Sequence, residues 1–170
     1  NEEYEFVVID CPPSLGLLTL NALTASQSVL IPMQCEYYAL QGLSHLLKTL
    51  QRIKKFINPN LRVEGILLTM YDGRTLLTGQ VEDQVKKYFS EFLMKTIIPR
   101  NVRLSEAPSH GKPIVLYANR SKGSDSYVEL AQEIIQRAKG GIITPKKQQQ
   151  EVSYEEWIKD NKLRDFSKNK

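Results

Sequence analysis

Phe6-Val7-Val8-Ile9-Asp10-Cys11-Pro12-Pro13 sets four apolar residues directly before one carboxylate, with a cysteine and two prolines behind it. A run that is apolar at successive positions suits a strand covered on both faces of a parallel sheet. The prolines end such a strand, because neither has an N–H to give to a ladder. Residues 5–10 are therefore expected to form a strand with Asp10 at its C-terminal end. Ligands of open α/β sheets bind at that edge. The plainer alternative is a core strand followed by a solvated or helix-capping Asp.

Outward from this stretch, apolar runs alternate with helical patterns. Residues 14–25 read as a helix with Ser14 as its N-cap. Residues 28–33 read as a second buried strand, with Pro32 suited to its end. Leu40, Leu43, Leu47, Leu50, Ile53 and Ile57 recur at three or four and define one helix face, stopped by Asn58-Pro59. Residues 63–70 form a third strand, and Val81, Val85, Tyr88 and Phe89 mark another helix. Thr96-Ile97-Ile98 is expected as a short strand stopped by Pro99, residues 114–117 as a brief extended piece, and Tyr127 to Ile135 as a last helix. Strands alternating with helices predict an α/β fold, a parallel sheet with helices on both faces. Gly140-Gly141 ends the pattern. The domain reading is 1–139 for the α/β portion, 140–152 for a polar linker and 153–170 for a tail. In the tail, Ser153 and Glu156 make a capping box before Tyr154, Trp157 and Ile158.

The 170 residues are 41% hydrophobic and 25% charged, ordinary for a globular chain of one domain plus a tail. No apolar run is long enough to span a membrane. Cys11 and Cys35 have neither metal-ligand spacing nor a disulfide framework, which fits a reducing cytoplasm. The net charge of +4 is mildly basic and compatible with a polyanionic partner.

Three further segments carry a resemblance. Asp10-Cys11-Pro12-Pro13-Ser14-Leu15-Gly16 leads to Asn21-Ala22-Leu23-Thr24-Ala25; Thr69-Met70-Tyr71-Asp72-Gly73-Arg74-Thr75 follows; then comes Ile98-Pro99-Arg100-Asn101-Val102-Arg103-Leu104-Ser105-Glu106-Ala107-Pro108-Ser109-His110-Gly111-Lys112-Pro113. Over about residues 4–138 these resemble the C-terminal half of ParA/Soj-type partitioning ATPases, deviant-Walker-A P-loop proteins related to MinD. The family's Gly-rich P-loop with its signature lysine has no counterpart here: no G-x-x-x-x-G-K-[ST] occurs, and His110-Gly111-Lys112-Pro113 lacks the first glycine. The chain is therefore expected to be a portion of a longer protein, incomplete as a P-loop fold. Related folds place the P-loop strand between the strands expected here at 5–10 and 28–33, so those two are not expected to pair.

The resemblance implies ATP and magnesium as cofactors, a homodimer formed with ATP, non-specific binding to duplex DNA and hydrolysis prompted by a ParB/Spo0J-like partner. It implies action in the cytoplasm on the nucleoid. Asp10 is the expected magnesium and catalytic carboxylate, acting through water, since magnesium takes hard oxygen ligands and keeps several waters. Pro99 and Asn101 are expected against the adenine: proline offers a flat apolar contact, and asparagine both a donor and an acceptor. Met70 is expected to pack nearby or in the core. Arg74, Arg103 and Arg100 are expected to contact DNA phosphates, with Lys86, Lys87 and Lys112 widening the patch. Cys11 is not read as a nucleophile, and Ser105, Glu106, His110 and His45 are read as packing or capping residues. The tail's Glu155, Glu156, Asp160 and Asp165 argue against a basic membrane-surface helix. Two alternatives stand beside this reading: a non-catalytic DNA- or partner-binding module, and a MinD-like division-site ATPase.

Overall fold

The computed structural model describes residues 3–140. The linker and tail expected beyond Gly140 lie outside the described residues. The elements in chain order are α1 (Leu17–Ala25), β1 (Ser28–Gln34), α2 (Ala39–Phe56), β2 (Arg62–Thr69), α3 (Leu76–Phe89), α4 (Val102–Glu106), a 3-10 turn (Ala107–His110), α5 (Ile114–Tyr117) and α6 (Lys122–Lys139).

β1 and β2 pair in parallel from Ser28↔Arg62 to Gln34↔Thr69, with an irregularity after Val29 that leaves Glu64 as the extra residue. The connection through α2 is the crossover that parallel neighbours need. The sheet is covered on both faces. Val29, Ile31, Met33, Ile66 and Leu68 pack on one face with Leu43, Leu50 and Ile53 of α2 and Val81, Val85 and Phe89 of α3. Leu30 and Leu67 point the other way, into a smaller cluster with Met94, Ile98, Leu104, Leu130 and Ile134. The fold is α/β, as the alternating pattern predicts.

Local chemistry sets the element ends. Asn58 stops α2 and donates through Nδ2 to the carbonyls of Leu23, Thr24 and Ser26, tying the end of α2 to the last turn of α1. Thr75 caps α3 by accepting from the Thr78 N–H, and Ser121 caps α6 by accepting from the Ser124 N–H.

Several expectations are corrected. Residues 5–10 form no strand. Val7 is 70% and Val8 91% exposed, and β1 pairs with β2 alone among the described residues. A strand exists only with a hydrogen-bonded neighbour, and among the described residues this segment has none. Pro32 lies inside β1 rather than at its end; it is tolerated there because β1 is an edge strand. α1 is capped by Gly16, not Ser14; the Ser14 carbonyl instead accepts the Thr19 hydroxyl at 2.6 Å. Residues 114–117 are the helical turn α5, because the Pro113 carbonyl captures the N–H groups of Leu116 and Tyr117.

The expected strand at 96–98 is broken into isolated contacts. Residues 92–100 run beside the free edge of β2, with bonds from Ile66 N–H to Phe92 O, Met94 N–H to Ile66 O, Ile98 N–H to Leu68 O and Arg100 N–H to Tyr71 O. Between them, the N–H groups of Lys95 and Thr96 leave the ladder and donate to the Glu133 carboxylate of α6, both at 2.9 Å. A side chain competing for two backbone donors interrupts the strand.

Candidate functional site

The C-terminal edge of β2 is where the candidate residues gather. Past Thr69 the backbone turns at Met70, whose φ of 52° is the one left-handed non-glycine value among the described residues. That conformation costs a residue with a Cβ on the order of 1 kcal/mol. It redirects the chain, so Met70 is 42% exposed at the edge rather than in the core. Tyr71 then exchanges bonds with the neighbouring segment, its N–H donating to Ile98 O at 3.1 Å and its carbonyl accepting from Arg100 N–H at 2.9 Å. Two loops far apart in sequence, 70–75 and 98–103, are thereby fastened together.

Each loop presents a paired arginine. Arg74 donates to both oxygens of Asp72, at 2.8 Å from Nε and 2.6 Å from the terminal nitrogen, and its side chain is 89% exposed. This fork, with a smaller contribution from the Arg100 charge, holds the Asp72 carboxyl down at about 2. Arg103 sits in the first turn of α4, which Asn101 caps by accepting the Arg103 N–H at 2.8 Å. The Arg103 guanidinium pairs with Glu106 at 2.8 Å, and Tyr117 donates its hydroxyl to the same carboxylate. Arg103 and Tyr117 together hold the Glu106 carboxyl below its usual range. Arg100 is exposed and makes no side-chain hydrogen bond or close ion pair among the described residues, acting on Asp72 only through its charge.

The structure therefore joins Met70, Arg74, Pro99, Arg100, Asn101 and Arg103 in one neighbourhood. Asp10 is exposed, and among the described residues no hydrogen bond or ion pair of its side chain ties it to them. Among the lysines, Lys86 is engaged by Glu82, Lys87 lies against the Tyr88 ring and Lys112 is exposed. Of the residues read as packing or capping, His110 stacks on Tyr117 with ring centroids 4.8 Å apart, and His45 is exposed on α2. Burial, with the charge of Glu82, pushes the Cys35 thiol up to about 11, which makes it inert. No group of three or more His, Cys, Asp or Glu among the described residues is arranged to hold a metal ion. None of the described helices is long and apolar enough to cross a membrane.

Sequence reading missed the clamp that positions the 98–103 loop. Arg137 donates to Glu133 at 2.8 Å and also to the carbonyls of Glu64 and Leu93. Glu133 thus ties α6 to the segment that ends in Pro99. Its signal in the sequence was only an i,i+4 acid–base pair, a pattern common on any helix surface.

Comparison with known proteins follows this geometry. A family model described as an AAA domain matches residues 1–63. The sporulation initiation inhibitor protein Soj of Bacillus subtilis is 62% identical over 133 residues, 78% of this chain and 53% of that protein. The chromosome partitioning protein ParA of Myxococcus xanthus is 58% identical over 135 residues, 79% of this chain and 48% of that one. The chain is of the ParA/Soj type. It spans about half the length of the curated relatives it matches. Among solved structures, the cobyrinic acid a,c-diamide synthase of Mycobacterium smegmatis with bound ADP and magnesium aligns with a TM-score of 0.62 at 34% identity, over 81% of this chain and 49% of that one. The cell division ATPase MinD of Pyrococcus furiosus aligns with a TM-score of 0.64 at 26% identity, over 79% and 53%. A ParA/Soj-type chain thus shares its α/β core with nucleotide-binding enzymes.

Proposed function

We propose that this ParA/Soj-type chain is part of an ATPase that partitions chromosomal or plasmid DNA. The observation that carries the reading is the fastening of 70–75 to 98–103 at the sheet edge, in a chain that is 62% identical to Soj over 133 residues. Such an edge is where α/β folds bind nucleotides. Asp10 serves the magnesium of ATP through water. An exposed carboxylate with no hydrogen bond or ion pair among the described residues fits an ion that keeps its own hydration, and the described residues offer no cluster of His, Cys, Asp or Glu to cage a bare ion. Pro99 and Asn101 flank the base; because the Asn101 carbonyl oxygen already accepts from Arg103, its Nδ2 is the group left to donate. Bound MgATP supplies the phosphoryl group whose transfer to water drives the cycle. The phosphate-cradling amides are supplied from outside these 170 residues, which carry no P-loop motif.

In this reading the longer protein dimerises with ATP in the cytoplasm. Arg74, Arg100 and Arg103 then contact DNA phosphates without reading bases, and a ParB/Spo0J-like partner prompts hydrolysis and release. Support for the DNA role is the exposure of Arg74, Arg100 and Arg103 on two loops that the Tyr71 backbone bonds fasten together. The test is ATP turnover in the longer protein, with and without Asp10→Ala, beside the isolated 170-residue chain. Turnover is expected from the first alone, with the Asp10→Ala protein retaining its circular dichroism. Undiminished turnover by the Asp10→Ala protein removes Asp10 from the site; turnover by the isolated chain refutes the need for a P-loop supplied from elsewhere.

A further inference from the structure

A concavity lies at the end of the sheet where β1 and β2 begin, opposite the edge that carries Met70 and Asn101. It encloses about 70 Å3. From the sheet it is lined by Val29 of β1 and by Arg62 and Val63 of β2. From α2 it is lined by Leu47, Leu50, Gln51 and Lys54, which the three-four spacing of a helix brings to one stripe. Phe89, the last residue of α3, and Phe92 close the far side.

The lining is apolar except for Gln51, Lys54 and Arg62, and it contains no carboxylate. Lys54 has an ordinary reason to be there, since a cation in the last turn suits a helix C-terminus. Arg62 has no such reason. Its Nε is buried and meets no acceptor among the described residues, and a buried donor left unpaired is costly. Neither Lys54 nor Arg62 has an ion-pair partner among the described residues. Glu64 also has a buried carboxyl oxygen without a partner, but its side chain does not line the pocket. What the two cations lack is an anion at the mouth of an apolar space.

Size decides the kind of occupant. Small-molecule sites enclose about 300–1,000 Å3, and an apolar cavity that takes benzene measures about 150 Å3. A space of about 70 Å3 holds one aliphatic side chain, the dimension of an anchor residue in a protein–protein contact. A guanidinium pairs with carboxylates through its planar fork, and a lysine adds a point charge beside it. We propose that this pocket takes a leucine or isoleucine side chain of an acidic partner polypeptide, with Asp or Glu neighbours of that residue on Lys54 and Arg62. The partner gives the buried Arg62 Nε its acceptor and leaves the Asn101 edge of the sheet uncovered. The inference does not depend on the ATPase reading.

The probe is a fluorescein-labelled peptide, Glu-Glu-Leu-Glu-Glu, titrated into the longer protein and followed by anisotropy. Saturable binding that weakens with salt is expected. The peptide Glu-Glu-Ser-Glu-Glu, which lacks the apolar anchor, is expected to bind about tenfold more weakly or worse. Lys54→Glu and, separately, the cavity-filling Val63→Phe are expected to weaken the leucine peptide several-fold, whereas Arg74→Ala/Arg103→Ala leaves its affinity unchanged. If Val63→Phe fails to fold, Lys54→Glu on α2 still decides. No saturable binding overturns the proposal. Equal affinity for the serine peptide reduces the contact to charge alone and overturns it. Affinity indifferent to Lys54→Glu, or lost with Arg74→Ala/Arg103→Ala, places the peptide elsewhere and overturns it too. So does binding that fades as protein concentration rises, with a matching increase in sedimentation coefficient, which assigns the pocket to a second copy of the chain.

Discussion

Replacing Glu133 by Ala tests whether one carboxylate holds the Pro99–Arg103 loop in place. Glu133 accepts from the N–H groups of Lys95 and Thr96 and pairs with Arg137, and the two side chains are 10% and 16% exposed. The Lys95 N–H is solvent-accessible and water replaces its partner, so its loss costs little. The Thr96 N–H is part-buried, and losing a charged acceptor there costs about 1.5–3 kcal/mol. Arg137 keeps its two carbonyl acceptors, which moderates the roughly 3–5 kcal/mol typical of breaking a buried pair. The expected total for Glu133→Ala is roughly 2–4 kcal/mol at pH 7. Glu133→Gln keeps one acceptor oxygen, and should cost about half as much. The assay is urea unfolding of the longer protein, read as a shift in midpoint at constant slope.

The pH dependence sharpens this test. Burial pushes the Glu133 carboxyl up, but the N–H groups of Lys95 and Thr96, the Thr96 side chain and Arg137 outweigh it and hold the group below 4.5. A depressed pKa means that the stabilisation is complete above the unfolded value and is lost as pH falls through the folded one. The gap between wild type and Glu133→Ala should therefore be widest near neutrality and close in acid. A neutral-pH difference under about 0.5 kcal/mol, the range of an ordinary surface substitution, would refute the clamp. A gap that persists unchanged in acid would refute its electrostatic part.

Other substitutions probe the same packing. Gly65→Ala places a Cβ against the Met94 side chain and 3.1 Å from the Phe92 carbonyl; it should destabilise by about 1–3 kcal/mol in the same unfolding assay. Gly123→Ala puts a Cβ 2.7 Å from Leu104 Cγ in α4, so nucleotide affinity should fall along with stability, read by titration with a fluorescent ATP analogue. Ile66→Ala, at a fully buried position, should cost about 2–5 kcal/mol without altering the folded protein's nucleotide affinity. The double variant Arg74→Ala/Arg103→Ala should weaken binding to every duplex alike and lower the slope of log affinity against log salt by about two; an unchanged slope would remove both arginines from the DNA surface.

What the sequence determined by itself was the sort of fold and the identity of the candidate residues. Successive apolar residues at 29–31 and 66–68, and the three-four spacing from Leu40 to Ile57, are local signals, because burial on two faces or on one helical face dictates residue type position by position. The long shared segments carried the family in the same way. Tertiary structure alone decided the rest. Residues 6–9 are as apolar as any strand, yet a strand needs a neighbour's hydrogen bonds, and composition does not say whether one is there. Thr96 to Ile98 have good strand residues, but Glu133, 37 residues from Thr96, captures the N–H groups the ladder required. The convergence of Arg74 with Arg100 and Arg103 rests on two backbone bonds through Tyr71. Such long-range partners are chosen by the fold, and no local pattern encodes them.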